Sequence, residues 1–259
     1  MNGAAGRGAR LMNSSITGMS PWILFSLLAG PGRYGLAAAL ALAVAVLLVL
    51  VRHRQIFLEV AGLVFFAVLT VIGMIVTADT LRWLDTYAGE LSNLSIAALA
   101  LVSVAVRAPL TVPYARKKVA RAFWHTRDFQ RTNVIITYAW GLAFLAAAVA
   151  GGVGDLVLHN PDNLWTGWII QVSALVTAAR FTEWYPAVVR ARLDPTEPVP
   201  PVRSLLMPFV GLLIPMGVLV LLLDAAPRWF AVALMVVGVV LARALTTEAV
   251  VARGEGREP

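Results

Sequence analysis

The 259-residue chain has no cysteine. Disulfides, thiolate metal sites and cysteine nucleophiles are therefore excluded, while the compartment stays open. Charge is scarce as well. Only 14% of residues are Asp, Glu, Lys or Arg, against roughly 25% in an average soluble domain. The three histidines, His53, His125 and His159, stand alone on different loops. No HExxH, P-loop or G-x-S-x-G pattern occurs. Without a nucleophile–base pair or a ligand cluster, the chain reads as a non-enzyme with no cofactor and no metal. No internal repeat is present.

What the chain has is apolar blocks. Hydrophobic residues make up 59% of it, gathered in runs near the length of about 20 residues that crosses a bilayer. The runs are continuous rather than alternating, which favours membrane helices over barrel strands. Full spans are expected near 34–51, 56–77, 90–107, 132–152, 164–182, 204–223 and 228–247. The fold class is thus all-α, a polytopic bundle of seven full spans. A short apolar segment, 19–29, precedes them and ends at Gly30-Pro31-Gly32. It is too short for an ordinary span and suits a re-entrant or interfacial piece. Arg7 and Arg10 ahead of it also fit a signal peptide; no clean small-x-small cleavage site follows, so it is expected to be retained. Residues 1–18 are expected to be loose, 19–192 to form a membrane core and 193–202 a proline-rich extended linker. An appended hairpin, 203–247, and a polar tail, 248–259, complete the plan.

One polar island interrupts the apolar blocks. The stretch 107–131 holds seven Lys or Arg and a single Asp. Pro109 and Pro113 are expected to stop the helix before it. Tyr114 to Trp124 reads as a basic amphipathic segment suited to an anionic membrane face. Lipid or partner contacts are assigned to Arg107, Tyr114, Arg116, Lys117, Lys118, Arg121, Trp124, Arg131 and Asn133, where Asn133 either caps its helix or contacts the loop. The net charge of +7 does not point to nucleic acid, because the cations are divided among loops. With Arg52 and Arg54 placed in the cytoplasm and the spans threaded alternately, 16 of the 21 Lys and Arg fall on that side. A cytoplasmic-membrane protein with a cytoplasmic C-terminus follows from that bias. Seven of the eight tryptophans (Trp22, Trp83, Trp124, Trp165, Trp168, Trp184 and Trp229) are expected at membrane edges. Trp140 is expected to pack between helices.

Polar residues inside spans are the places where a second function would show. Glu59 either snorkels to the interface and pairs with Arg52 and Arg54, or serves proton-coupled transport. Gln171 is expected to bond between helices. Arg180 and Glu183, at i and i+3, can pair, and Trp184 can add a cation–π contact. Together Glu59, Gln171, Arg180 and Glu183 are the set a small-molecule or lipid transporter would need. Pro208, Gly211, Pro215 and Gly217 are read as interrupting the sixth span, as a kink or as a broken helix lining a site. Gly151, Gly152 and Gly154 read as a turn. Asp79, Arg82, Asp85 and Glu90 read as a solvated, partly paired loop, or else as a weak cation site.

The order of these features resembles the intracellular septation protein A family, small inner-membrane proteins of bacteria. The likeness covers about residues 18–190. It runs through Val51-Arg52-His53-Arg54, a turn with Asp79-Thr80 and Trp83, then Arg107, Pro109 and Leu110, then Phe129, Arg131, Asn133 and Trp140, and last Trp165. The chain departs from the family pattern in a shorter gap before Trp83, a longer one before Trp140, and the extra hairpin. The resemblance implies a role in envelope integrity or division, through lipids or other membrane proteins of the envelope machinery. It implies no catalytic residues.

Overall fold

A computed structural model describes residues 15–51, 57–160, 163–222 and 226–254. Among them every regular element is helical. In chain order these are α1 (Ser15–Leu28), α2 (Tyr34–Val51), α3 (Phe57–Ile75), α4 (Ala78–Ala105), the one-turn α5 (Val112–Ala115), α6 (Arg127–Gly152), α7 (Ile170–Leu193), α8 (Arg203–Leu222) and α9 (Arg228–Gly254). A 3-10 turn covers Arg121–Phe123, and π-helical turns cover Val153–Val157 and Trp165–Ile169. Five helices are long and apolar enough to cross a membrane: α2, α3, α4, α6 with its π-helical continuation to Val157, and α8. The expected spans 164–182 and 228–247 fall largely on α7 and α9, which are not among those five. Residues 1–14, Arg52, His53, Arg54, Asp162 and Arg257 lie outside the described residues, and the expectations for them rest on sequence alone.

The chain divides into two compact units, Met1–Tyr185 and Pro186–Pro259. The division falls inside α7, at Pro186, a few residues before the proline-rich stretch expected as the linker.

In the first unit, α4 packs on α6, α2 on α3, and α1 lies against α2, α3 and α4. The buried residues of α2 are Tyr34, Ala37, Ala38, Ala41 and Ala45, a stripe at helical spacing. Its other faces are apolar and exposed, with Leu50 at 77%. The same holds for α3, where Phe66 is buried and Met74 is 81% exposed. A water-soluble bundle hides its large side chains. On α2 small residues face inward and large ones outward, a pattern that suits helices packed in lipid, while α3 buries Leu58, Phe66 and Leu69 and still leaves large apolar side chains outside. Gly141 of α6 continues the rule, since a Cβ there would meet Ala100 Cβ at 3.4 Å.

The short segment α1 lies inside the bundle and not on its surface. Every described position from 17 to 30 is buried or half-buried. Its length is about 21 Å at 1.5 Å per residue, less than a hydrocarbon core of about 30 Å. Trp22, expected at a membrane edge, is a core residue instead. Its ring lies 4.6 Å from Phe65 and 5.1 Å from Phe66, and Gly62 leaves room for the indole. Trp140 packs inward as expected, stacked on Phe144 at 5.9 Å, with its Nε1 donating to Thr182 Oγ1 at 2.9 Å.

Two helices begin earlier than hydropathy indicates. Thr77 caps α4, its Oγ1 accepting from Thr80 N, and Asp79 sits in the first turn. Cap and acid offset the helix dipole and the free amides. The expected solvated loop with Asp79, Arg82, Asp85 and Glu90 is therefore three helical turns, and the Asp79-Thr80…Trp83 turn lies within them. Thr126 caps α6 in the same way, its Oγ1 accepting from Phe129 N at 3.3 Å. The glycines expected as a turn are also helical: Gly151 and Gly152 belong to α6, and Gly154 to the π-helical turn after it.

In the second unit, α8 and α9 form an antiparallel pair. The α8 backbone is continuous from Arg203 to Leu222, so Pro208 and Pro215 do not break it. Its glycines differ in use. A Cβ at Gly217 would lie 2.7 Å from the Ala231 carbonyl oxygen, whereas Gly211 faces open space. Before α8, Asp194 Oδ1 accepts from Thr196 Oγ1 at 2.6 Å and from Thr196 N at 3.0 Å. Those two bonds hold the Asp194 carboxyl below the usual carboxylate range.

Candidate functional site

The polar island is a fixed platform and not a free amphipathic helix. It starts where α4 ends. Arg107 adopts a left-handed φ of 59°. Ala108 N donates to the Ser103 carbonyl at 2.8 Å and Arg107 N to that of Val104 at 2.9 Å, the Schellman pattern that closes a helix. The helix is thus already closed two residues before Pro109. Ser103 Oγ then accepts from Leu110 N at 3.2 Å. Thr111 Oγ1 donates to the Asn133 carbonyl at 2.9 Å and lies 2.9 Å from Thr137 Oγ1, so the loop is bonded to α6.

Tyr114, expected at the lipid face, is 2% exposed. Its hydroxyl fits against Gly18 of α1, where a Cβ would overlap it. Asn133 is buried too, and its Nδ2 donates to the Phe129 carbonyl at 2.8 Å. It therefore neither caps α6 nor reaches the surface. These two anchor the platform from within; they are not contacts for lipid or a partner.

The cations remain outside. Arg107, Arg116, Lys117, Lys118, Arg121, Arg127 and Arg131 are all exposed. Among the described residues, no ion pair joins Arg107, Arg116, Lys118, Arg121, Arg127 or Arg131 to a carboxylate. Trp124 organises the middle of the group. Arg116 lies 5.1 Å and Arg121 5.5 Å from its ring centroid, and its Nε1 donates to the Val119 carbonyl at 2.9 Å. Two guanidinium groups held on one indole present a preformed cationic surface.

The second set of candidates does not gather in one place. Arg180 and Glu183 pair at 3.6 Å on the surface, with side chains 52% and 67% exposed; such pairs contribute about 0–1 kcal/mol. Trp184 belongs to a ring cluster with Phe181 and Tyr185. Glu59 is 2% exposed in the first turn of α3, so the protein encloses it. Gln171 lies in a hydrogen-bonded set. Its Oε1 accepts from Ser26 Oγ at 3.0 Å and Asn93 Nδ2 at 3.5 Å, and its Nε2 donates to the Thr166 carbonyl at 3.2 Å. That set ties α1, α4 and α7 together. Ser26, Asn93 and Thr166 are short polar residues inside apolar runs, and hydropathy does not single them out.

The residues expected on a solvated loop are also dispersed. Asp79 pairs with Arg82 at the start of α4. Asp85 Oδ1 accepts from Tyr34 N at 3.0 Å, fixing the start of α2. Glu90 is turned toward α6, against Gly151. No family model, no curated protein and no solved structure matches the chain.

Proposed function

We propose that the chain is a non-enzymatic, multi-span protein of the cytoplasmic membrane that holds anionic lipid headgroups on a rigid basic platform. The observation that carries this reading is the exposed cation group of 107–131, anchored to the bundle through Thr111 and Tyr114. Each Lys or Arg near an anionic leaflet contributes about 1 kcal/mol. A platform already ordered loses little entropy on binding.

The finer topology belongs to the same proposal. Seven spans, with α7 and α9 added to the five apolar helices, place 52–54 and 107–131 on one side and the C-terminus with them. The Lys and Arg bias supports the cytoplasm as that side. A part in envelope integrity or division, as in the septation protein A family, is supported by the order of sequence features and by a face suited to lipid or to an acidic membrane partner. The transport reading has less support, because Arg180 and Glu183 form a surface pair away from the Gln171 set.

The test uses full-length protein purified from micelles that mix phosphatidylglycerol with phosphatidylcholine. Wild type is expected to retain phosphatidylglycerol in excess of its share, and less so as salt rises. The combined Arg116→Gln, Lys117→Gln, Lys118→Gln and Arg121→Gln variant is expected to lose most of that excess. Equal retention by both proteins at low salt rejects the proposal.

A further inference from the structure

About 26 Å along α4 from Arg107, at 1.5 Å per residue, a second polar group lies inside the first unit. Glu90 Oε1 lies against Gly151 at the end of α6, and its carboxyl interacts with that of Asp155, four residues further on. Glycines make the room. A Cβ at Gly151 would overlap Glu90 Oε1, and one at Gly154 would overlap Thr166 Oγ1. Thr166 accepts from Gln171, and Gln171 accepts from Asn93. Asn93 lies one turn after Glu90 on the same face of α4. The contacts thus form a ring through α4, the end of α6 and the start of α7. Asp155 and Thr166 each sit on a π-helical turn, a rare form that recurs at functional sites.

Two observations give the ring an occupant. Ionised carboxylates only accept hydrogen bonds, so two in contact need a positive charge between them. Among the described residues, no ion pair joins a Lys, Arg or His to either carboxyl; His159 is exposed and turned to the Val157 carbonyl. Independently, Asn93 is 1% exposed, and among the described residues neither its Oδ1 nor Asp155 Oδ2, both buried atoms, has a hydrogen-bond partner. The Asn93 amide nitrogen is held by Gln171, which leaves its oxygen for a ligand. We propose that Glu90, Asp155 and Asn93 bind one small cation, either a proton or a hard metal ion such as Na⁺ or Ca²⁺. The donors are all oxygen, which suits hard ions and not thiophilic ones.

The test uses full-length protein in detergent with wild type, Glu90→Gln and Asp155→Asn. Both replacements keep the side-chain shape and supply their own N–H donor, so the bundle is kept. Infrared spectra at neutral pH in metal-free buffer are expected to show a protonated-carboxyl C=O band in wild type that both variants lack. Adding Na⁺ or Ca²⁺ then separates the occupants. Loss of the band with a rise in melting temperature in wild type alone assigns a metal ion; no response assigns the proton. A wild type with neither the band nor a cation-dependent melting shift overturns the proposal. So do a band and a shift that both persist in the variants.

Discussion

The two glycines of α8 offer opposite outcomes from one substitution. A Cβ at Gly217 would lie 2.6 Å from Met235 Cγ and 2.7 Å from the Ala231 carbonyl oxygen. The methionine can move, but the carbonyl is backbone, so α8 and α9 must separate. Overpacking of this kind costs about 1–3 kcal/mol. Alanine in a helix returns about 1 kcal/mol relative to glycine. Gly217→Ala is therefore expected to destabilise the pair by about 1 kcal/mol, and Gly217→Val by more. Gly211 has nothing within 4 Å of an added Cβ, so Gly211→Ala retains the gain of roughly 0.5–1 kcal/mol. The two alanine variants should differ by about 1–3 kcal/mol, roughly five-fold to over a hundred-fold in the folded-to-unfolded ratio. Because the chain has no cysteine, single cysteines at exposed Leu219 and Val232 can carry spin labels. Their distance distribution, followed through a titration with denaturing detergent, gives the midpoint for each variant. A Gly217→Ala midpoint equal to or above that of Gly211→Ala would refute the close approach of the two helices at that point.

Two further substitutions test how the first unit is tied together. Thr111→Val removes the hydroxyl that bridges the Asn133 carbonyl and Thr137, a loss of about 1–3 kcal/mol where a buried partner is left unpaired. Amide hydrogen exchange across 108–121 should rise about five-fold or more while that of α8 stays unchanged; equal protection in both proteins would contradict the anchored platform. Trp140→Phe removes the Nε1 bond to Thr182 and should lower stability by about 1–3 kcal/mol. In a double-mutant cycle with Thr182→Val the coupling should be about 0.5–1.5 kcal/mol, and strict additivity would count against the bond.

Hydropathy locates α2, α3 and α8 closely because each is one unbroken apolar run. It places the starts of α4 and α6 late, since Asp79, Arg82 and Asp85 in one and Arg127, Asp128 and Arg131 in the other lower any window average. The capping threonines were legible: Thr77 with Asp79 two residues on, and Thr126 with Asp128, are both helix-start signals. Trp22 misleads for a related reason. A tryptophan beside a short apolar run fits an edge, and nothing local says that three other helices enclose that run. The basic platform was legible as charge and position. Its anchors, Thr111 and Tyr114, were not, because the partners Asn133, Thr137 and Gly18 lie far away in sequence.

A deeper limit concerns faces rather than segments. In water, the inward face of a helix is its hydrophobic one, so periodicity in hydropathy reports burial. In lipid both faces are apolar, and on α2 what separates them is size. Ala37, Ala41 and Ala45 of α2 turn inward while Leu36, Leu40 and Leu47 turn out. Gly151 and Gly154 follow the same logic, and their small size leaves the room that Glu90 and Thr166 occupy. A reading that grades residues by smallness would have marked the α6 end as a place of close approach. It would still not have supplied Glu90, more than sixty residues earlier in the chain, whose meaning depends on α4 and α6 being neighbours. The pairing of those two helices is therefore the single structural fact from which both the Glu90–Asp155 site and the Thr111 anchor of the platform follow.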